Sequence, residues 1–232
     1  MSRRQRQASV LEALARSRFL ILLLCLLGLF LIQPMLPRGR GLSALDLDVA
    51  LVAVLLASVW SLSHSRVLLF AGLALVVPAI AAGFFARVGP RAELALVGLG
   101  CALAFLVFAA GSVLWLVVRQ REIDTDTILG GICVYLLLAA FWATLYSMMA
   151  RIDPGSFSPA THPSTSPSGL LAPDLIYYSV LILTTMGPED IVPISGPARA
   201  WTGLEAIAGQ LYLAVFIARL VGMQSSQPRR GD

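Results

Sequence analysis

The run Thr184-Thr185-Met186-Gly187-Pro188-Glu189-Asp190 puts two hydroxyls, a glycine and two carboxylates into one short stretch. Hydroxyl, carbonyl and carboxylate oxygens are the ligands of hard cations, and glycine opens backbone conformations closed to other residues. A second candidate is Glu205, an ionisable group inside an apolar stretch, which is a functional site by default. Five residues on, Gln210 is the one polar group on a helical face shared with Ala206, Leu213, Ile217 and Val221. Catalysis finds no footing. His64 and His162 fall in loops, and there is no HExxH, no Ser/His pairing and no acid pair within an apolar block. No catalytic residue and no enzyme activity are expected. Cys25, Cys101 and Cys133 are dispersed in apolar runs without a CxxC, so neither a disulfide framework nor a metal site is expected, and no cofactor.

The elements that must hold these residues follow from composition. Of 232 residues, 58% are apolar and 13% charged, and the mean hydropathy is +0.83. A soluble domain carries roughly 25% charged residues, and a disordered chain needs low hydrophobicity, so both classes are excluded. All 17 basic residues are Arg, scattered between apolar blocks for a net charge of +4, which excludes a nucleic-acid surface. The blocks approach the length needed to cross ~30 Å of hydrocarbon as helix. They run over 19–36, 45–62, 67–86 (containing Pro78), 93–118, 128–150 and 198–222. The expected fold is an all-α polytopic membrane protein with six transmembrane helices. Residues 1–18 are expected to be a cytoplasmic N-terminal segment before a retained first helix, since no A-x-A site follows the first block.

Between the fifth and sixth blocks lies a Ser/Pro-rich stretch, Arg151 to Gly169, which reads as an exposed loop. Asp174 to Met186 then carries an apolar run of about ten residues, too short to span and therefore re-entrant. Gly187 to Pro197, with three prolines and two glycines, excludes regular helix. Of the fifteen Arg outside the blocks, with the N-terminus inside, ten fall on the cytoplasmic side and five outside, which orients both termini inward. Trp60, Trp115 and Trp201 sit near block ends, as interface anchors do; Trp142 lies mid-block. No repeat relates the two halves, which disfavours an inverted-repeat transporter.

Helix, short re-entrant helix, irregular loop and helix form the pore unit of tetrameric cation channels, and here the residues resemble that family. Leu175 to Asp190 is similar, without a gap, to the pore helix and filter of potassium channels, which read an aromatic pair, Ser-Val, and then Thr-Thr-Val-Gly-Tyr-Gly-Asp. Tyr177 and Tyr178 match the aromatic pair, Ser179 and Val180 follow, and Thr184, Thr185, Gly187 and Asp190 match the filter frame. Residues 198–222 resemble the inner helix of bacterial two-helix-pore channels, with Gly209 at the hinge-glycine position. The resemblance implies a homotetramer in a bacterial-type plasma membrane, contacting lipid, with monovalent or divalent cations in the pore and no small-molecule substrate. It implies a pore domain over 128–223. The apolar blocks before it, which carry no motif of the family, are expected to form a four-helix domain at 19–118 joined by a linker at 119–127, and the short tail at 224–232 is expected to hold no ligand-binding domain. The resemblance also makes Gln210 and Leu213 cavity-lining and Ile217 and Val221 an apolar inner gate that can dewet.

The chain departs from the family where selectivity is decided. Pro188 and Glu189 replace Tyr and the second Gly. Proline holds φ near −65° and is expected to push Gly187 toward extended geometry, while positive φ is costly for Glu189. The upper carbonyl ladder is therefore expected not to form, leaving Thr185 to build the innermost site and K⁺ poorly selected. Four copies of Glu189 and Asp190 would make an acidic outer mouth, in which carboxylates ~8 Å apart repel by about 2 kcal/mol at an effective ε of ~20. Asp190 has a second reading, a bond to Tyr178. Glu205 is expected to point behind the filter as a neutral acid bonded to Ser179 or Thr184. Asp124 and Asp126 are expected to cap the fifth helix. The fourth block holds no Arg from Leu94 to Val118, which excludes an arginine voltage sensor. The alternative function is a non-conducting structural or regulatory membrane protein on the same fold.

Overall fold

The computed structural model describes residues 18–32, 66–88, 92–120, 124–159 and 172–225. These form α1 (Arg18–Ile32), α2 (Arg66–Val88), α3 (Ala92–Arg119), α4 (Thr125–Ile152), β1 (Phe157–Pro159), α5 (Ala172–Leu183), β2 (Ile191–Pro193) and α6 (Gly196–Ser225). Among the described residues, three helices are long and apolar enough to cross a membrane, over Glu93–Arg119, Thr125–Ile152 and Gly196–Met223. The apolar stretches in α1, α2 and α5 are shorter: Phe19–Leu31, Phe70–Ala82 and Pro173–Leu183. The block expected at 45–62 lies outside the described residues, as do Trp60, His64 and His162.

Helix is the local solution because an unsatisfied backbone group in hydrocarbon costs several kcal/mol. Hydroxyls inside the spans obey the same constraint by bonding their own helix: Thr144 donates to Ala140 O at 2.7 Å and Ser147 to Ala143 O at 2.8 Å. Asp124 is the N-cap of α4 and accepts the Thr125 N–H at 2.6 Å. Before it, α3 runs to Arg119. At the other end of α4, Asp153 is the C-cap, and its carboxylate accepts the Gly155 N–H at 3.1 Å and the Ser156 hydroxyl at 3.0 Å.

β1 and β2 pair antiparallel, with Phe157 opposite Pro193, Ser158 opposite Val192 and Pro159 opposite Ile191. This corrects the reading of an exposed loop over 151–159, where Ser156 and Phe157 are buried, while 160–169 lies outside the described residues. The Ser156 carbonyl accepts the Ile194 N–H at 2.8 Å, and the Phe157 ring packs edge-on against Tyr146 and Tyr178, with centroids 5.3 and 5.5 Å away. Ser195 then caps α6 by accepting the Ala198 N–H at 3.2 Å. One small network thus joins the end of α4, the ribbon and the start of α6.

Helices in lipid gain little from the hydrophobic effect and associate through close packing and polar contacts. Two neighbouring glycines on α4 show this. A Cβ on Gly130 would stand 2.6 Å from Val117 of α3, and one on Gly131 would stand 2.0 Å from the Phe216 ring of α6. Around them lie two apolar clusters. One joins α1, α3 and α4 through Leu22, Leu26, Phe105, Val113 and Leu137. The other joins α4, α5 and the ribbon through Trp142, Tyr146, Phe157, Leu175 and Tyr178. Trp142, anomalous as an interface anchor, belongs to this second cluster and lies 6.0 Å from the Trp201 ring. Helix α4 is the trunk, with 61% of its apolar window buried, against 6% for α6.

Candidate functional site

The oxygen-rich run leaves the C-terminus of α5 through a Schellman turn. The Met186 N–H donates to Leu181 O and the Thr185 N–H to Ile182 O, both at 2.9 Å. The left-handed residue of such a turn is ordinarily glycine; here it is Thr185, with φ 61°. A β-branched residue in that region is a true outlier, and outliers of this kind gather at functional segments. Gly187 also has positive φ, 68°. That corrects the expectation of extended geometry before Pro188. The pre-proline clash acts largely through Cβ, which glycine lacks. Glu189 stays out of the left-handed region, since Thr185 is the one non-glycine there among the described residues.

Thr184, Thr185, Met186, Gly187 and Glu189 are exposed, while Pro188 and Asp190 are half-buried. The Thr184 hydroxyl donates to Val180 O at 2.7 Å and the Thr185 hydroxyl to Thr184 O at 2.7 Å. From α6, Gln210 Nε2 reaches Thr185 Oγ1 at 3.4 Å. Gln210, Ile217 and Val221 are exposed and Leu213 half-exposed, on one face of α6. Glu205, Gly209, Tyr212 and Phe216 occupy the face that meets α4 and α5.

Tyr178 does not bond Asp190. Its hydroxyl meets Thr202 Oγ1 at 2.9 Å, and Thr202 donates onward to Ala198 O at 2.8 Å. The side chain beside Asp190 is Tyr177, whose hydroxyl is raised above the usual phenol range, first by desolvation and then by the Asp190 carboxylate. The reason is rotational: α5 turns Tyr178 inward to full burial and leaves Tyr177 42% exposed on the outer side. Asp190 Oδ1 is buried without a hydrogen-bond partner among the described residues.

Behind the run, Glu205 is fully buried. Its Oε2 accepts the Tyr146 hydroxyl of α4 at 2.5 Å, and its Oε1 lies 2.6 Å from Ser179 Oγ of α5. Ser179 Oγ is also 2.9 Å from Ala139 O of α4. Thr184, the other partner considered for Glu205, bonds its own helix instead. Lower down, the Tyr135 hydroxyl donates to Leu183 O, the last helical carbonyl of α5, at 2.9 Å. A Cβ on Gly209 would stand 2.5 Å from that same oxygen, so α6 passes close to the end of α5 at Gly209. Tyr212 stacks between Tyr135 and Phe216, at 5.8 Å from each, and donates to Gly131 O at 2.7 Å. At the far end of α6, Arg219 reaches Val118 O at 2.5 Å and Gln120 O at 3.2 Å, placing a cation on the carbonyl end of α3.

Four of these residues, Tyr135, Tyr146, Tyr212 and Arg219, do not stand out in the sequence as site residues. The available signal is chemical: a tyrosine inside a span brings a hydroxyl that must find a partner. Among the described residues no cluster of His, Cys, Asp and Glu could hold a metal ion.

Residues 132–225, from α4 to the end of α6, match the family model described as ion channel. No curated protein and no solved structure matches the chain. The match takes in α5, the filter-like run and Glu205, and it leaves α1, α2 and α3 outside. The region 132–225 is thus similar to an ion channel domain, a family that is not one of enzymes, and it takes in most or all of two of the three helices among the described residues that are long and apolar enough to cross a membrane.

Proposed function

We propose that the chain is one subunit of a homotetramer that conducts cations across a bacterial-type plasma membrane, with a filter at Thr184–Asp190 that selects K⁺ poorly and an acidic outer mouth at Glu189 and Asp190. The observation that carries this reading is the exposed, non-helical run leaving a pore helix too short to span. Irregular backbone at membrane depth is tolerated only where protein buries it or where it lines water. A single chain supplies one wall of such a path, and a closed ring of copies supplies the rest. The exposed face of α6 with Gln210, Leu213, Ile217 and Val221 then lines the cavity and gate. The bias of Arg toward one side of the blocks supports termini in the cytoplasm. Left-handed backbone at Thr185 and Gly187 but not at Glu189 supports a ladder of carbonyls cut short on its outer side.

Planar-bilayer recording of the purified protein under bi-ionic conditions tests this. The expected result is cation over anion conduction with weak discrimination of K⁺ from Na⁺. A reversal potential near ideal K⁺ selectivity overturns the filter reading, and silence in every condition favours the non-conducting alternative. In the same recordings Glu189→Gln is expected to lower cation flux or divalent block. The loss is largest at low salt, where the screening length grows from ~8 Å to ~30 Å. Equal conductance and block at low ionic strength would remove Glu189 from the mouth.

A further inference from the structure

Among the described residues, no cation lies beside the buried carboxyl of Glu205. The groups that face it are two hydroxyl-bearing residues in direct contact, Tyr146 of α4 and Ser179 of α5, and two further phenols, Tyr135 of α4 and Tyr178 of α5. No basic side chain among the described residues pairs with it. An isolated charge in such a place is expensive, and the usual escape is to take up a proton.

Proton bookkeeping at Ser179 points the same way. Its hydroxyl has one hydrogen and two oxygens within reach, Glu205 Oε1 at 2.6 Å and Ala139 O at 2.9 Å. If Glu205 is ionised, Ser179 gives its hydrogen to Oε1, and the Ala139 contact has none. If Glu205 carries a proton on Oε1, the chain runs in one direction. Glu205 then donates to Ser179, Ser179 donates to Ala139 O, and Tyr146 donates to Oε2. Every short contact then holds one hydrogen.

We propose that Glu205 is a protonated, neutral positioning residue that fastens the back of the pore helix to α4 and α6, and that its deprotonation in alkaline solution alters conduction. Losing the proton reverses the Ser179 hydroxyl, releases the Ala139 contact and places a negative charge behind the filter of each copy. The second half of the proposal rests on the channel reading above; the first does not.

Infrared spectroscopy of the full-length protein in lipid is the experiment. The difference between wild type and Glu205→Gln at neutral pH is expected to show a protonated-carboxyl C=O band that disappears on alkaline titration. Absence of that band overturns the proposal whether or not the protein conducts. Glu205→Gln is also diagnostic as a protein. An amide has one donor end and one acceptor end, like a neutral acid and unlike a carboxylate. The variant should therefore fold and conduct like wild type at neutral pH, and lose the change in conductance that wild type shows on the alkaline side. A variant that fails to fold, or that alters selectivity at neutral pH, would mean that two acceptor oxygens are required there and that Glu205 is ionised. A wild-type conductance flat across the same range, with the infrared band titrating, would retain the neutral strut and overturn its link to conduction.

Discussion

Gly131→Ala is expected to lower the stability of the folded protein by about 1–3 kcal/mol, the ordinary range for forced overpacking. It should do so by pushing α6 off α4. The added methyl would meet three atoms of the Phe216 ring at 2.0–2.6 Å. The same movement would strain the Tyr212 bond to Gly131 O. Because the obstacle is a side chain, Phe216→Ala in the same protein should recover most of the loss. Gly209→Ala should cost a similar amount without such a rescue. Its obstacle is the backbone oxygen of Leu183 at 2.5 Å, and trimming the Leu183 side chain leaves that oxygen in place. Thermal unfolding in detergent of the single and double variants measures both. Equal rescue at the two positions would refute the distinction between a yielding ring and an unyielding backbone.

The second large effect concerns selectivity. Replacing Pro188 with Tyr and Glu189 with Gly rebuilds the potassium-channel pattern except at Met186. The structure gives a backbone reason to expect a response. Left-handed conformation occurs at Thr185 and Gly187, two residues apart, and stops there. Glycine at 189 would allow the next left-handed step, and removing Pro188 frees φ at the residue between. More stacked carbonyls replace more of the ion's hydration shell. The double variant should therefore shift the bi-ionic reversal potential toward that of K⁺, and either single replacement should shift it less. An unchanged reversal potential in a variant that still conducts would show that selectivity is not set by these two residues.

Some of this was legible before any coordinates. The short apolar run before three prolines and two glycines forces a non-spanning helix followed by irregular backbone. Glu205 was legible as a buried acid near α5 because its depth leaves few partners, and of the two considered the structure joins it to Ser179. The partner of Tyr178 was not legible. Thr202 and Asp190 are both reachable in sequence terms, and only the rotation of α6 against α5 decides between them. The ribbon was hidden for another reason. Three-residue strands with proline at an end carry no alternation to read. The left-handed Thr185 was hidden because the usual marker of that turn, glycine, is missing.

The glycines of α6 have a use as reporters. Within one chain a Cβ on Gly209 collides with Leu183, whereas a Cβ on Gly203 or Gly222 meets nothing within 4 Å among the described residues. Alanine at those two open positions should, for an isolated subunit, gain up to ~1 kcal/mol of helix propensity. A saturation scan scored by function therefore carries information that one protomer cannot. Intolerance of alanine at 203 or 222 would mark surface occupied by a neighbouring copy, and tolerance would mark surface left to lipid or water. Since so little of α6 is covered by the described residues of its own chain, these two columns of the scan would test the proposed assembly of copies.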